Sequence, residues 1–286
     1  MYQQKVILGV APVKRSFLSM EEAVRQKNRF MAVIRKTLSE SVDIIDIDDI
    51  SENGICWRTE ETPAIVEKFM TAGIDALFLP FCDFGEEQAA AQIAASFHLP
   101  VLIWGARDER PNTDVSRGRD TQCGMFAATK VLRRHGVKFS YIYNCETESD
   151  AFAQGYDRFI RTAAVLKALR NLRLAKIGDR PVPFMSVMTN EADLIRRMGV
   201  TVIPISPAVS RRAKEIVEKK AEDFLSYYND LTARMNTDAM REELVEMAAA
   251  TKLALSELMR ENDCSVGAFE CWSAFPSLIG VCPCVA

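Results

Sequence analysis

The chain has 286 residues, of which 48% are hydrophobic and 26% are charged, and its formal net charge is −3. This length predicts about two domains with sizeable apolar cores. The small negative charge excludes the basic surface that binding to nucleic acid requires. No apolar run reaches the roughly 18 residues of a transmembrane helix, and the N-terminus resembles no secretory signal, so we expect a cytoplasmic protein without membrane contact.

Apolar runs and amphipathic stretches alternate through the first part of the chain. The predicted strands are 5–10, 42–47, 74–80, 100–104 and 138–143. The predicted helices are 20–38, 60–72, 86–97, 122–135 and 150–169. This alternation is typical of a doubly wound α/β domain, in which a mostly parallel sheet of five strands has helices on both faces. We therefore place the first domain at residues 1–170.

The remainder, 171–286, continues the alternation and predicts a second α/β domain. Its predicted strands are 172–177, 200–205 and 265–269, and its predicted helices are 190–198, 210–234 and 238–261. The expected fold class is therefore two doubly wound, Rossmann- or flavodoxin-like domains with mostly parallel sheets. The final stretch 277–286, SLIGVCPCVA, is apolar, so we expect a chain that is cut before a third domain and exposes apolar surface.

A long charged loop follows the predicted buried strand 100–104. It carries, among its charged residues, Arg107, Asp108, Glu109, Arg110, Arg117, Arg119 and Asp120. Such a loop can be a solvated surface with local ion pairs or a ligand site. Connections longer than about 12 residues are uncommon in compact domains and often functional, which favours the ligand site. We expect Arg107, Asp108, Arg119 and Asp120 to gather at the carboxyl edge of the first sheet.

Further charged residues stand where other predicted strands end, and parallel strands present their carboxyl ends at one edge of a sheet. Each of these residues alone is more typical of a solvated charge, whereas the group together is a candidate site. The whole set is Lys14, Arg15, Asp48, Asp83, Glu86, Arg107, Asp108 and Glu146.

Several chemistries lack their sequence motifs. The loop after the first strand matches neither a P-loop nor the dinucleotide fingerprint, which disfavours nicotinamide cofactors and nucleoside triphosphates. No Gly-x-Ser-x-Gly nucleophile elbow is present. The two histidines, His98 and His135, stand in contexts typical of structural roles, which leaves only carboxylate sites open for magnesium or manganese. Cys282 and Cys284 have no second pair at zinc-site spacing, and we expect reduced thiols.

Glu270 is the acid most suggestive of chemistry, because it follows the predicted strand 265–269 and lies close to Trp272. A carboxylate at such a strand end can bind a metal, or its pKa can be raised for proton transfer. The alternative is a structural role, in which Glu270 caps a helix or pairs with a nearby arginine.

Six short blocks, spread over essentially the whole chain, resemble the L-fucose/L-arabinose isomerase-like family. They are Val10-Ala11-Pro12, Asp46-Ile47-Asp48-Asp49-Ile50, Leu79-Pro80-Phe81-Cys82-Asp83-Phe84-Gly85, Trp104-Gly105-Ala106-Arg107-Asp108-Glu109, Arg119-Asp120-Thr121-Gln122-Cys123-Gly124 and Phe269-Glu270-Cys271-Trp272. The resemblance implies two α/β domains followed by a third, and an enzyme that interconverts aldoses and ketoses with a divalent metal, typically manganese. It also implies a homo-oligomer in which the first domain of one subunit helps to close a neighbour's site.

The same resemblance implies which residues act on a sugar. A metal would hold two neighbouring sugar oxygens as a Lewis acid, and acid/base groups would move a proton between adjacent carbons through an enediol. Glu270 resembles the glutamate that ends the family's second domain, which makes it the predicted catalytic and metal-binding residue. The predicted substrate-binding residues are Arg15, Trp104, Arg107, Asp108, Arg119, Asp120, Gln122 and Trp272. The family's other metal ligands would follow residue 286, so the alternative is a non-catalytic sugar-binding or oligomerisation module that has lost the metal site.

Overall fold

The computed structural model of the chain describes residues 5–38, 40–109, 118–205, 208–272 and 274–282. Arg110 and Arg117 of the charged loop, and Cys284 near the end of the chain, lie outside these residues. The chain divides into two compact units, Met1–Lys167 and Ala168–Ala286, which are described in turn. The domain limits expected from the sequence, 1–170 and 171–286, stay a prediction.

The first unit alternates strands and helices along the described chain. Its strands are β1 (Val6–Val10), β2 (Val42–Ile45), β3 (Ala76–Phe81), β4 (Val101–Gly105) and β5 (Ser140–Tyr141). Its α-helices are α1 (Met20–Lys36), α2 (Thr62–Ala72), α3 (Glu87–Ala95), α4 (Thr121–Arg134) and α5 (Asp150–Arg170). Two short 3₁₀ turns, Glu52–Gly54 and Thr59–Glu61, lie between β2 and α2.

The five strands form one sheet in the order β2-β1-β3-β4-β5, and every neighbouring pair is parallel. This arrangement confirms the predicted doubly wound fold. The chain passes from β1 outward to β2 and then returns past β1 to β3, so the strand order reverses between β1 and β3. In open α/β sheets, ligands bind in the crevice outside the carboxyl ends of the strands at such a reversal.

Both faces of this sheet are covered, because β3 and β4 are buried along their whole length. On one face, side chains of α1 and α5 pack on the sheet around Phe30, Trp104 and Phe152. On the other face, α2, α3 and α4 pack around Phe69 and Leu79. The predicted fifth strand, 138–143, is shorter in the structure, because this edge strand pairs with β4 alone and leaves Tyr141 67% exposed.

The second unit contains a smaller parallel sheet. Its strands β6 (Arg173–Ile177), β7 (Thr201–Ile205) and β8 (Val266–Phe269) stand in the order β7-β6-β8. Its α-helices are α6 (Glu191–Met198), α7 (Ala208–Lys219), α8 (Glu222–Arg234), α9 (Glu242–Glu261) and α10 (Ala274–Ile279). One core includes Val209, Phe224 and Ala250 from three of these helices. The second unit is therefore also α/β with a parallel sheet, as predicted.

In this unit one helix prediction was wrong in detail and one helix was not predicted. The predicted helix 210–234 is two helices, because Lys220 adopts a left-handed φ of 44° between α7 and α8. The second of them begins afresh with the acidic pair Glu222 and Asp223, which favours a helix N-terminus. The helix α10 was not predicted, since its sequence, AFPSLI, is a short apolar run without helical periodicity.

The second unit exposes apolar side chains in the segment after β6. Val182, Met185, Val187 and Met188 are each more than half exposed. Within the described part of the chain, no helix combines the length and the apolar character needed to cross a membrane.

Candidate functional site

The reversal point between β1 and β3 is extended by the loops that follow these strands. After β1 the chain continues as Ala11–Ser19 toward α1, and Val13 forms parallel bridges with both Cys56 and Phe81. The N–H of Val13 donates to the carbonyl of Pro80 at 3.0 Å, and the N–H of Cys82 donates to the carbonyl of Val13 at 3.0 Å. The loop after β1 is therefore fixed between its neighbours before it reaches Arg15.

Arg15 is held by its main chain as well as by its side chain. Its N–H donates to Oδ1 of Asp83 at 2.7 Å, and its carbonyl accepts from Nζ of Lys14 at 2.7 Å. Its guanidinium lies over the ring of Phe84 at 4.7 Å and donates from Nη1 to Oε2 of Glu86 at 3.1 Å. The side chains of Arg15 and Glu86 are each 17% exposed, so both reach the surface.

Asp83 is the buried acid of this cluster, with 1% of its surface exposed. Its Oδ1 also accepts from the N–H of Gly85 at 2.8 Å, which forms a tight turn that Gly85 permits through its φ of +76°. Burial raises the pKa of Asp83, while the bonds from Gly85 and Arg15 and the charges of Lys14 and Arg15 oppose that rise. Its Oδ2 is buried and accepts no hydrogen bond from the described residues.

Lys14 is the buried base of the cluster, with 2% of its surface exposed. Its Nζ lies 5.7 Å from the ring centroid of Trp57. The main-chain N–H of Lys14 donates to the carbonyl of Cys56, so the residue is fixed at both ends. Lys14 and Asp83 belong to the rim of strand-end charges expected from the sequence, but not to the predicted substrate-binding set.

The loop after β4 contains Asp108, whose hydrogen-bond partners differ in kind from those of Asp83. Oδ1 of Asp108 accepts from the N–H and the hydroxyl of Thr121 at 2.7 and 2.8 Å, and Oδ2 accepts from the N–H of Gln122 at 3.0 Å. Asp120, which precedes α4, has a left-handed φ of 67° and forms no side-chain cap. Asp108 therefore caps α4 although it lies 13 residues before Thr121 in the chain, and its role in substrate binding stays a prediction.

Arg119 also lies in this second cluster and is only 6% exposed. Its Nη2 donates to the carbonyl of Arg107 at 2.8 Å. Glu22 of α1 and Glu109 form ion pairs with it at 3.6 and 3.7 Å. The N–H of Arg107 in turn donates to the carbonyl of Cys145 at 2.9 Å, while its side chain is exposed. The structure thus brings Arg119, Asp108 and the main chain of Arg107 together around the start of α4.

The remaining predicted residues of the first unit differ in exposure. The Trp104 side chain is fully buried, with ring centroids of Phe152 and Phe30 at 4.3 and 6.1 Å, so it lines no surface in this structure. Gln122 is exposed on the first turn of α4. Their roles in substrate binding stay predictions, and the geometry gives Trp104 a role in the core.

Glu270 lies directly after β8 in the second unit. Its main-chain N–H donates to the carbonyl of Ile177, and its Oε2 accepts from the N–H of Asp179 at 3.3 Å. Trp272 is 62% exposed and stacks on Phe184, with ring centroids 4.6 Å apart. The predicted role of Glu270 in metal binding stays a prediction. Among the described residues, no three His, Cys, Asp or Glu side chains form a group that could hold a metal ion.

The first unit also matches a known protein family. The family model for the N-terminal domain of fucose/sulfoquinovose isomerases matches residues 9–170. The chain belongs to this family of sugar-isomerase-like proteins, in agreement with the resemblance found in the sequence.

Individual relatives extend the similarity into the second unit. Sulfoquinovose isomerases of Priestia aryabhattai and Priestia megaterium are each 23% identical over 235 residues, which is 82% of this chain and 52% of theirs. A sulfoquinovose isomerase of Alkalicoccus urumqiensis is 22% identical over 212 residues, which is 73% of this chain and 46% of that protein. The chain thus spans about half the length of the curated relatives it matches. A solved azoreductase of Bacillus anthracis strain Sterne aligns with a TM-score of only 0.27 at 11% identity, over 56% of this chain and 97% of that one, and supports no argument.

Proposed function

We propose that this protein is a sugar aldose–ketose isomerase whose substrate is related to sulfoquinovose or L-fucose. The observation that carries the proposal is the family match over residues 9–170, together with the similarity to sulfoquinovose isomerases over 82% of the chain. In such a reaction the carbonyl moves from C1 to C2 of the sugar. A proton leaves C2, an enediol forms, and a proton is returned to C1.

The carboxyl edge of the first sheet supports this proposal. Arg15 is the predicted substrate-binding residue that reaches the surface at the strand reversal, where α/β sheets bind ligands. Sugars are polar and rich in hydroxyl groups, which suits an edge built from charged side chains and main-chain turns. The proposal includes a homo-oligomer in the cytoplasm, with this edge closing the site of a neighbouring subunit.

Manganese belongs to the proposal through the family resemblance, with Glu270 as one ligand. When bound, such a metal supplies Lewis-acid polarisation of the sugar carbonyl. The side chains described here do not by themselves fit a manganese site, because no three candidate ligands among them come together. Glu270 would therefore contribute one carboxylate, and we expect the further ligands outside the described residues.

The test is to incubate the protein in its natural length with sulfoquinovose and, separately, with L-fucose, with added Mn²⁺ or with a chelator. NMR spectroscopy of the mixture then reports aldose and ketose directly. We expect interconversion of one of these sugars that depends on the metal. Absence of ketose from both sugars in the presence of Mn²⁺ would refute the proposed reaction.

The role of Glu270 has its own matched pair of variants. Glu270→Gln keeps the shape of the side chain and removes its charge, so we expect activity and Mn²⁺ affinity to fall by about tenfold or more. Glu191→Gln is the control, because Glu191 is a half-exposed glutamate of the same unit whose ion pair with Lys176 is on the surface. Unchanged Mn²⁺ affinity in Glu270→Gln, measured by electron paramagnetic resonance, would remove Glu270 from the metal site.

The second candidate function is a sugar-binding or oligomerisation module without catalysis. This second function is retained because, among the described residues, no three candidate metal ligands come together. The two functions differ in one result, because a binding module retains sugar affinity but forms no ketose.

A further inference from the structure

The charge balance around Arg15 distinguishes two kinds of ligand. Arg15 and Lys14 contribute two positive charges, while Asp83 and Glu86 contribute two negative charges within the same cluster. Glu87 adds a further carboxylate 3.9 Å from Nη2 of Arg15. The cluster therefore carries no excess of positive charge, and it does not favour an anionic group such as a sulfonate.

The partly exposed side chains of Arg15 and Glu86 place hydrogen-bond donors beside an acceptor. A guanidinium has five N–H donors, and within the described chain Glu86 is the one hydrogen-bond acceptor for those of Arg15. Oε1 of Glu86 also accepts from the N–H of Gln88 at the start of α3, at 3.4 Å, and the carboxylate keeps further lone pairs beside the guanidinium. Two neighbouring hydroxyl groups of a sugar match this pattern, since one hydroxyl accepts from the arginine while the next donates to the glutamate.

The main chain of Arg15 is held by two buried charges. Asp83 accepts its N–H and Lys14 donates to its carbonyl, each at 2.7 Å, and these two side chains are only 1% and 2% exposed. Burying charged groups costs free energy that a water-bonded surface loop would not require. Asp83 and Lys14 together fix the backbone of Arg15, whose guanidinium lies over the ring of Phe84.

We propose that Arg15 and Glu86 bind a pair of adjacent hydroxyl groups of the sugar, and that Lys14 and Asp83 are positioning residues that fix Arg15 for this contact. This inference rests on the proposed function for its ligand and assigns the edge to the neutral, hydroxyl-bearing part of the substrate. Preorganised donors lose less conformational entropy on binding, which is the benefit of the two buried charges.

The first test compares sulfoquinovose with 6-deoxyglucose, which has the same ring hydroxyls but no sulfonate. Binding of each sugar to the natural-length protein is measured by isothermal titration calorimetry, for the wild type and for Arg15→Met. We expect Arg15→Met to weaken binding of both sugars by about tenfold, because it removes charge-assisted hydrogen bonds to hydroxyls. Lys5→Met is the control, because Lys5 pairs with Asp43 at the opposite edge of the same sheet.

The two sugars and the Arg15→Met variant together distinguish a hydroxyl site from a sulfonate site. A loss confined to sulfoquinovose would assign Arg15 to the sulfonate and overturn the hydroxyl assignment. Binding of neither sugar by the wild type would also overturn it. Binding that depends on Arg15 without any ketose formation would support the hydroxyl site while refuting the proposed isomerase.

The second test isolates the positioning role of Asp83. Asp83→Asn keeps Oδ1 for the N–H groups of Arg15 and Gly85, whereas Asp83→Ala removes it. We expect Asp83→Ala to weaken binding of both sugars by about tenfold and to speed hydrogen exchange at the Arg15 amide, with Asp83→Asn within about threefold of the wild type. Lys14→Met removes the donor to the Arg15 carbonyl, and we expect it to weaken binding in the same way. Equal affinities in folded Asp83→Ala and wild type would overturn the positioning role.

Discussion

The loops after β3 and β4 begin alike and use their aspartates in opposite ways. In each, an apolar strand buried along its length is followed within a few residues by an aspartate, Asp83 or Asp108. Asp108 accepts hydrogen bonds on both carboxylate oxygens from the first turn of α4. Asp83 uses one oxygen to hold the neighbouring loop at Arg15, while its other oxygen has no hydrogen-bond partner in the part of the chain that the structure describes.

The difference between Asp83 and Asp108 indicates which of the two carboxylates is the better candidate for a ligand site. A carboxylate whose lone pairs are taken by a helix N-terminus is explained by that helix. A buried carboxylate with an unused oxygen is costly and calls for a further reason. The fold therefore favours the shorter loop after β3, where the strand order reverses, over the long loop after β4 as the ligand site.

The largest effect is expected for Trp104→Ala at the end of β4. The side chain is fully buried against Phe30 and Phe152, so its loss should reduce the free energy of unfolding by about 3–5 kcal/mol. Urea denaturation followed by circular dichroism measures this change, with the exposed Tyr141→Ala as the control. A stability near that of the wild type, combined with weakened sugar binding, would show instead that Trp104 contacts the substrate.

The next effect concerns the contact between α4 and the loop after β3. A Cβ at Gly124 in α4 would overlap the main-chain carbonyl of Phe84 in the loop after β3. Gly124→Ala should therefore cost about 2–3 kcal/mol, since small-to-large changes in packed regions force the backbone apart. Gly118→Ala is the control, because no atom of the described residues lies within 4 Å of the Cβ that it would add. Equal thermal denaturation of both variants would show that α4 and the loop after β3 do not pack so closely.

A smaller effect is expected for Asp108→Ala. This variant leaves N–H groups at the start of α4 without their acceptor, which should cost about 1–2 kcal/mol. Because both carboxylate oxygens of Asp108 already accept from the first turn of α4, we expect the affinity of the folded variant for sugar to stay within about twofold of the wild type. Calorimetric titration checks this, and a tenfold loss of affinity would restore Asp108 to the ligand site.

The smallest effect is a pH dependence at Asp83. Because burial raises its pKa in the folded protein, this group adds stability below its unfolded pKa, and that contribution is lost as the pH rises through the folded value. Asp83→Asn does not titrate, so its stability relative to the wild type should increase as the pH rises through that range and level off above it. Denaturation at a series of pH values measures the difference. A relative stability of Asp83→Asn that falls with rising pH would contradict the raised pKa.

Much of the fold could be predicted from local sequence patterns. The apolar runs of β3 and β4 and the helical spacing of α1 and α4 are short-range signals, and their alternation implies parallel strands. Predictions failed where local signals are weak. Lys220 breaks a continuous helical pattern through its backbone conformation, and β5 lacks a second neighbouring strand.

The site could be predicted only in part. The family resemblance implied Arg15 as a substrate-binding residue, which stays a prediction, and the strand-end pattern grouped Lys14, Asp83 and Glu86 with it at one edge of the sheet. The sequence weighted the long loop more heavily, because length and charge are visible without a structure. The bond from Gly85 to Asp83 is local, but the partners that separate the two aspartates, Thr121 for Asp108 and Arg15 for Asp83, lie 13 and 68 residues away along the chain.

The sequence by itself therefore determined the family, the α/β class and the edge of the sheet at which charges collect. Each of these depends on periodicity or on short motifs, which neighbouring residues supply. Only the tertiary structure decided which charges serve the fold and which remain available, because a hydrogen bond between distant segments exists only once the sheet has brought them together. Burial also matters, because the free-energy cost of a charge without a partner increases as that charge is removed from water.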